Sequence, residues 1–136
     1  MSEPVFFCYS DHDLQIVSPL LDELRRLDID GRKCFTRVPP HEGNAAADIL
    51  RRDIESSRLL VVFLTDGVVF SDLYTWQIQM ACSYGLDTIV VRLTSNEPAE
   101  PLGDALESAY WIDALDRPLE DVTNQLVDVV CAKLGL

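Results

Sequence analysis

Short apolar runs alternate with amphipathic helical patterns along the whole of this 136-residue chain. The clearest run, Leu59 to Leu64, is unbroken and of strand length, which is typical of a central parallel strand covered on both faces. Four further strands are predicted at Pro4 to Tyr9, Arg32 to Thr36, Thr88 to Leu93 and Tyr110 to Ile112. Strands that alternate with helices form a parallel sheet, so the pattern predicts a doubly wound α/β fold.

The helices between these strands are marked by apolar spacing and by residues that start or stop helices. A stripe of apolar residues from Leu14 to Leu27 predicts the first helix. Pro19 lies inside it, so this helix is either kinked there or begins late, with Ser18 as its N-cap. Another helix is predicted around Thr75 to Tyr84, ending near Gly85. The last helix has one apolar face, formed by Leu119, Val122, Leu126, Val129, Val130 and Leu134.

The chain is strongly acidic, with 11 Lys and Arg against 23 Asp and Glu and a net charge of −12. Such a surface repels phosphate backbones and anionic lipid, which argues against nucleic-acid and membrane partners. No apolar run approaches the length needed to cross a bilayer, and the first residues lack the basic start of a targeting signal. We therefore expect one cytoplasmic domain that covers residues 1–136.

The cysteines argue for a reducing compartment. They contain no close pair and no Cys-x-x-Cys, and they stand at Cys8, Cys34, Cys82 and Cys131. We expect buried, reduced thiols, since free cysteine is among the most buried residue types. A zinc site needs tighter ligand spacing, so no metal site is predicted.

Doubly wound sheets bind ligands at the carboxyl ends of their strands, which directs attention to the loops that start at Ser10, Arg37 and Asp66. Ser10, Asp11 and Asp13 cluster after the first predicted strand, where a ribose or phosphate would bind. The alternative is that they only cap the first helix, as Asp and Ser commonly do.

Three segments in register resemble Toll/interleukin receptor (TIR) domains. The first is Val5 to Ser10, an apolar strand that ends in Tyr-Ser. The second consists of Gly43, Leu50, Ile54-Glu55 and Ser57-Arg58 before an apolar strand. The third is Ser71 to Ile78, at the family pattern Ser-x-Trp-Cys-x-x-Glu-Leu. The resemblance covers about the first 95 residues well. It implies a flavodoxin-like three-layer fold with a central five-stranded parallel sheet.

The resemblance also implies a pocket for NAD⁺, as substrate or ligand, with no further cofactor. Enzymatic members of the family are NAD⁺ nucleosidases, either glycohydrolases or cyclases, and carry a glutamate where this chain has Gln77. A carboxylate stabilises the positive charge that builds on the ribose as the nicotinamide bond breaks, whereas an amide only hydrogen-bonds. We therefore expect a nucleotide to be bound better than it is cleaved. The sequence leaves open whether Gln77 is natural or replaces a native glutamate.

Arg37 to Gly43 corresponds to the BB loop of the family, which implies homotypic contacts with other TIR domains and gating of the pocket. Within it, Arg37 is a candidate phosphate contact, because guanidinium binds phosphate oxygens in a bidentate fashion. Phe35 either stacks on a base or belongs to the core at a strand end. Tyr74, close to Gln77, is a candidate for the pocket wall, and Trp76 is expected to face elsewhere.

Three functions are compatible with this sequence. The first is a signalling scaffold, and the second is an NAD⁺ hydrolase or cyclase disabled at Gln77. The third is a phospho-receiver domain, whose acidic pocket is imitated by Asp66 and Thr94 but whose lysine is missing. The sequence favours a self-associating TIR domain of immune-type or cell-death signalling that has an NAD⁺ pocket without cleavage.

Overall fold

The computed structural model describes residues 5–26, 48 and 51–135, together with the backbone of residues 31–33. Strands and helices alternate along these residues. Their bounds are β1 (Val5–Cys8), a 3-10 turn (Asp11–Asp13), α1 (Leu14–Arg26), β2 (Gly31–Lys33), a helical segment at 51–55, β3 (Leu59–Leu64), α2 (Asp66–Val69), α3 (Asp72–Ser83), β4 (Asp87–Arg92), α4 (Leu102–Ala105), β5 (Tyr110–Asp113) and α5 (Leu119–Leu134).

The strands form one sheet in the order β2-β1-β3-β4-β5, and every pair of neighbours is parallel. The predicted α/β fold with a central five-stranded parallel sheet is therefore confirmed. The chain moves outward from β1 to β2 and then returns to the other side of β1, so the strand order reverses between β1 and β3. In doubly wound sheets this topological switch point opens the crevice in which ligands bind.

Alternate residues along the strands supply two separate apolar cores, one on each face of the sheet. Phe7 and Phe63 belong to the core that α1 and α5 cover, with ring centroids 6.1 Å apart. Phe6 and Leu60 belong to the other core, which α3 covers. All of β3 is buried, as its unbroken apolar sequence predicts. The layers are thus helix, sheet and helix.

Helix α1 runs through Pro19 without a late start. The expectation that Ser18 caps a helix beginning at Pro19 is wrong, because the helix already starts at Leu14. A proline inside a helix removes one hydrogen bond and is tolerated when packing outweighs that loss. Here Val17 and Leu20 are both fully buried on either side of Pro19, so the apolar face holds both halves against the sheet.

The later helices agree with their predicted positions and differ at their ends. Helix α3 begins earlier than expected because the Ser71 hydroxyl accepts a hydrogen bond from the Tyr74 amide and caps it. Gly85 has a φ of +79°, the left-handed conformation common just after a helix. Leu119 was placed on the buried face of α5, but it is 52% exposed at the first residue of the helix.

Cys8 is buried, while Cys82 and Cys131 are half-buried, and these three are free thiols. Burial is thus less complete than expected for two of them, and Cys34 lies outside the described residues. Within the described part of the chain, no helix combines the length and apolar content that a membrane span requires.

Candidate functional site

The carboxyl ends of β1, β3 and β4 bring polar residues together along one edge of the sheet. Ser10 follows β1, Thr65 and Asp66 follow β3, and Thr94 follows β4. Ser10, Thr65 and Thr94 are buried, with exposed fractions of 3%, 5% and 7%. Buried polar side chains are normally hydrogen-bonded, so their partners define the architecture of this edge.

One hydrogen bond crosses the switch point between β1 and β3. The Thr65 hydroxyl donates to Oδ2 of Asp13 at 2.6 Å, joining residues that are 52 positions apart in sequence. Asp13 belongs to the 3-10 turn, whose start is capped by the Ser10 side chain. Oγ of Ser10 accepts from the His12 amide at 3.3 Å, and its carbonyl accepts from the Asp13 amide at 2.9 Å.

Gly67, in α2, lies directly against this turn. A Cβ added to Gly67 would stand 3.0 Å from both Cβ and Oγ of Ser10 and 3.1 Å from Oδ2 of Asp13. These distances are shorter than ordinary van der Waals contact, so a side chain here would press on the turn. The close contact between α2 and the turn is therefore made at a residue without a side chain.

A second hydrogen-bonded group spans the ends of β3 and β4. The Thr94 hydroxyl and the Asn96 side-chain amide both donate to Oδ1 of Asp66, the latter at 2.8 Å. Oγ1 of Thr94 also accepts a hydrogen bond from the backbone N–H of Asn96 at 3.1 Å. The hydrogen bond from Thr94, and then that from Asn96, lower the pKa of the Asp66 carboxyl, because both favour its charged form.

Arg92 holds the loop that carries Thr94 and Asn96. Its guanidinium donates to the Thr94 carbonyl at 3.0 Å and to the Ser95 carbonyl at 3.2 Å. It also forms an ion pair with Glu97 at 2.8 Å. The positive charge of Arg92 is therefore used within its own loop.

Gln77 lies on the sheet-facing side of α3 and is fully buried. Ile78 and Ala81, on the same side, pack into the apolar core of that face. The expectation that Gln77 and Ala81 share one side of the helix agrees with this burial. Trp76 is half-buried and packs at the margin of the same core.

The structure brings together only some of the predicted site residues. Ser10 and Asp13 both belong to the 3-10 turn that leads into α1. The Ser10 side chain caps this turn, as the alternative of a capping role predicts. Asp11 is exposed in the same turn. Tyr74 is 7% exposed and packs in the apolar core. Phe35 and the loop from Arg37 to Gly43 lie outside the described residues.

Sequence reasoning missed three contributors to this edge. Asn96, Gly67 and Arg92 were not named, because their importance rests on contacts between distant loops. A weak signal existed for Asn96, since a polar Thr-Ser-Asn segment follows the fourth apolar strand. Within the described ranges, no three His, Cys, Asp or Glu side chains converge in a way that could bind a metal ion.

Three solved structures share this architecture across nearly the whole chain. The TIR domain of the Toll-related receptor TRR-2 from Hydra magnipapillata has a TM-score of 0.68 at 19% identity, covering 94% of this chain and 97% of that one. The TIR domains of the activated Roq1 resistosome, which directly recognizes the pathogen effector XopQ, give a TM-score of 0.71 at 12% identity, covering 95% and 99%.

The third is the CMP N-glycosidase BcmB of Clostridium botulinum, with a TM-score of 0.61 at 12% identity, covering 93% of this chain and 98% of that one. No protein-family model and no curated protein matches the sequence. At these identities the likeness concerns the backbone architecture. The chain has the fold of TIR domains.

Proposed function

We propose that this chain is a cytoplasmic TIR domain that acts by self-association in innate-immune or cell-death type signalling. It binds NAD⁺ or a related nucleotide at the carboxyl edge of the sheet. It does not cleave the N-glycosidic bond, because Gln77 stands where a catalytic carboxylate is required. Three features support this function: the fold, the polar residues at the carboxyl edge of the sheet, and the buried amide of Gln77.

The fold supports both parts of this proposal. The similar TIR domains include those of an activated resistosome, an assembly. The similar CMP N-glycosidase acts on a nucleotide, so the same architecture accommodates cleavage of a bond between a base and a ribose. Fold alone does not assign a reaction, and the chemistry therefore has to be argued from the site.

The single observation that carries the proposal is the complete burial of Gln77 on the sheet-facing side of α3. Burying a polar amide costs free energy that an apolar residue would not cost, so its presence is informative. An amide can donate to and accept from ribose hydroxyls, but it has no charge and cannot act as a base. Gln77 thus suits recognition of a sugar better than stabilisation of an oxocarbenium-like transition state.

Exposed apolar side chains support the assembly part of the proposal. Phe70 is 73% exposed at the end of α2, and Ile16 and Leu119 are each 52% exposed. Near Leu119, a groove of about 380 Å³ between α1 and α5 is lined by Pro19 and Glu23 among others. Apolar side chains that gain burial on association favour contacts between domains.

The described residues contain one contact that a phospho-receiver pocket requires and lack, at the end of β5, the cation that such a pocket also requires. Asp66 and Thr94 do meet, as a receiver pocket requires. At the carboxyl end of β5, however, the chain has Asp113 and Ala114, and Oδ1 of Asp113 accepts from the Leu115 amide. A phosphoryl group would meet a further carboxylate there instead of a cation, which disfavours it.

The test is NAD⁺ cleavage by the chain and by Gln77→Glu, each incubated at high concentration and followed by chromatography of released nicotinamide. We expect Gln77→Glu to release nicotinamide about 10²–10⁴ times faster than the parent, because a carboxylate stabilises the developing charge. Gln79→Glu is the matched control. Gln79 lies two positions further along α3 and is exposed, so the same chemical change there should add no activity.

If Gln77→Glu and the parent are both inactive even in crowded assemblies, the NAD⁺ proposal fails and the scaffold function remains. If Gln79→Glu gains as much activity as Gln77→Glu, the gain does not come from the buried position.

A further inference from the structure

We propose that Thr65 is a positioning residue: its hydrogen bond to Asp13 holds the turn after β1 in place at the edge of the proposed nucleotide site. This inference rests on the proposed function, because it names how one side of that nucleotide site is held in place. Thr65 itself needs no contact with the ligand. Its hydroxyl acts through Asp13, and Asp13 acts through the turn.

The location of the hydrogen bond is the first argument. The bond joins the ends of β1 and β3, between which the strand order of the sheet reverses. Two adjacent strands diverge toward different connections at such a point, so nothing in the sheet ladder itself fixes the first loop. The 2.6 Å hydrogen bond from Oγ1 of Thr65 to Oδ2 of Asp13 connects this first loop to the end of β3.

The internal bonding of the turn is the second argument. Two amide hydrogen bonds of the turn end on Ser10, one on its hydroxyl from His12 and one on its carbonyl from Asp13. A shift of Asp13 therefore moves Ser10 as well. A hydrogen bond from a hydroxyl to a carboxylate is stronger than a neutral one, and here its donor is 5% exposed.

Gly67 provides the third argument, because it shows that the turn lies against the start of α2 with little spare room. A Cβ at Gly67 would stand 3.0 Å from Ser10 and 3.1 Å from Asp13, the two residues that the Thr65 bond fixes. Gly67 lies in α2, where alanine is ordinarily the better residue. Glycine at this position thus keeps the space in which Thr65 and Asp13 meet.

The experiment compares Thr65→Val with Thr65→Ser. Valine keeps the shape of threonine and removes the donor, whereas serine keeps the donor and removes a methyl group. Thr88→Val is a matched control, since Thr88 is half-buried at the opposite end of the sheet, in β4, where its hydroxyl donates to the Leu86 carbonyl at 3.2 Å. Amide hydrogen exchange at His12 and Asp13 reports the turn, and calorimetric titration with NAD⁺ reports binding.

We expect Thr65→Val to speed exchange of both amides about tenfold or more and to weaken NAD⁺ binding about tenfold, as loss of a hydrogen bond to a charged group predicts. Thr65→Ser and Thr88→Val should retain parental values for both. Gly67→Ala should weaken NAD⁺ binding in the same direction by displacing the turn from the other side.

Unchanged exchange of His12 and Asp13 in Thr65→Val would overturn the inference, and so would faster exchange with unaltered NAD⁺ affinity. Failure of Thr65→Ser to restore the parental values would also overturn it, since the effect would then not depend on the hydroxyl. If the parent chain binds no NAD⁺, the proposed function fails, and the exchange rates alone then decide whether Thr65 holds the turn.

Discussion

The two faces of the sheet are covered by helices of different character. On one face, α5 presents Leu126 and Val130, both fully buried, to the apolar core. Thr123 is also buried there, but its hydroxyl donates to the Leu119 carbonyl at 2.8 Å within the same helix. On the other face, α3 presents Ile78 and, beside it, the long polar side chain of Gln77.

This difference distinguishes buried polar groups that bond within their own helix from one that does not belong to the apolar packing of its face. A short hydroxyl that bonds to its own helix adds little cost to burial, because the polar group stays satisfied wherever the helix packs. A buried glutamine depends on its surroundings for its polar contacts, which restricts how α3 can sit on the sheet. Polar groups also gather where the chain leaves β3 for α2, at Thr65 and Asp66.

The largest expected effect is loss of apolar packing, and it should be similar on both faces. Leu126→Ala and Ile78→Ala each remove a fully buried side chain from one of the two cores. Each should lower the free energy of unfolding by about 2–5 kcal/mol, through lost transfer energy and the cavity left behind. Urea denaturation followed by circular dichroism measures the free energy of unfolding. A loss of stability in only one of the two variants would contradict the expectation that both cores contribute similarly.

A smaller effect is expected at Gln77, although it is as deeply buried as Ile78. Gln77→Leu keeps the side-chain volume nearly constant. It removes the cost of burying an amide while losing a hydrogen-bonding contribution of about 0.5–1.5 kcal/mol, so the free energy of unfolding should change by less than about 1.5 kcal/mol. NAD⁺ affinity, measured by calorimetric titration, should fall.

Gln79→Leu on the exposed side of α3 is the control for Gln77→Leu, and it should change neither quantity. A loss of more than about 3 kcal/mol in Gln77→Leu would instead place Gln77 among the residues that stabilise the fold. The distinction between α3 and α5 would then disappear.

The apolar pattern of the sequence predicted the sheet and helix α5 well. Strand β3 has the bounds that its sequence gives, Leu59–Leu64, and α5 spans Leu119–Leu134 as its apolar stripe indicates. Both signals come from many residues that share one burial requirement, so tertiary contacts reinforce them. The start of α3 was less predictable, because Asp72 and Tyr74 join the helix through a single capping contact from Ser71.

The sequence predicts at which edge of the sheet the candidate site lies. It does not predict which side chains contact one another there. Parallel strands imply that the loops after the first three strands, which start at Ser10, Arg37 and Asp66, lie at one edge of the sheet. The pairing of Asp13 with Thr65 and the role of Gly67 depend on loop positions that no local pattern encodes. The assignments of Phe35 and Arg37 to base and phosphate lie outside the described residues and stay predictions.

The smallest effect concerns Asp66, at the start of the connection that leads into α3. Hydrogen bonds from Thr94 and Asn96 lower the pKa of the folded Asp66, so the unfolded chain takes up a proton before the folded one as the pH falls. The stability that Asp66 contributes is therefore fully present above the pKa of the unfolded carboxyl and is lost as the pH falls through the lower, folded pKa. Asp66→Asn has no such proton to take up.

We therefore expect the parent to have a higher Tm than Asp66→Asn near neutral pH, and we expect the gap to close as the pH falls below the ordinary pKa of an aspartate, about 3.9. Scanning calorimetry from neutral pH to below that value measures it. Thr94→Val, which removes the donor with the larger effect on the pKa, should reduce the pH-dependent part more than Asn96→Ala does. A gap that stays constant with pH would show that Asp66 contributes through the shape of its loop and not through its charge. The polar contacts of Asp66 would then resemble that of Thr123 in α5, a buried hydroxyl whose hydrogen bond to the Leu119 carbonyl involves no charged group.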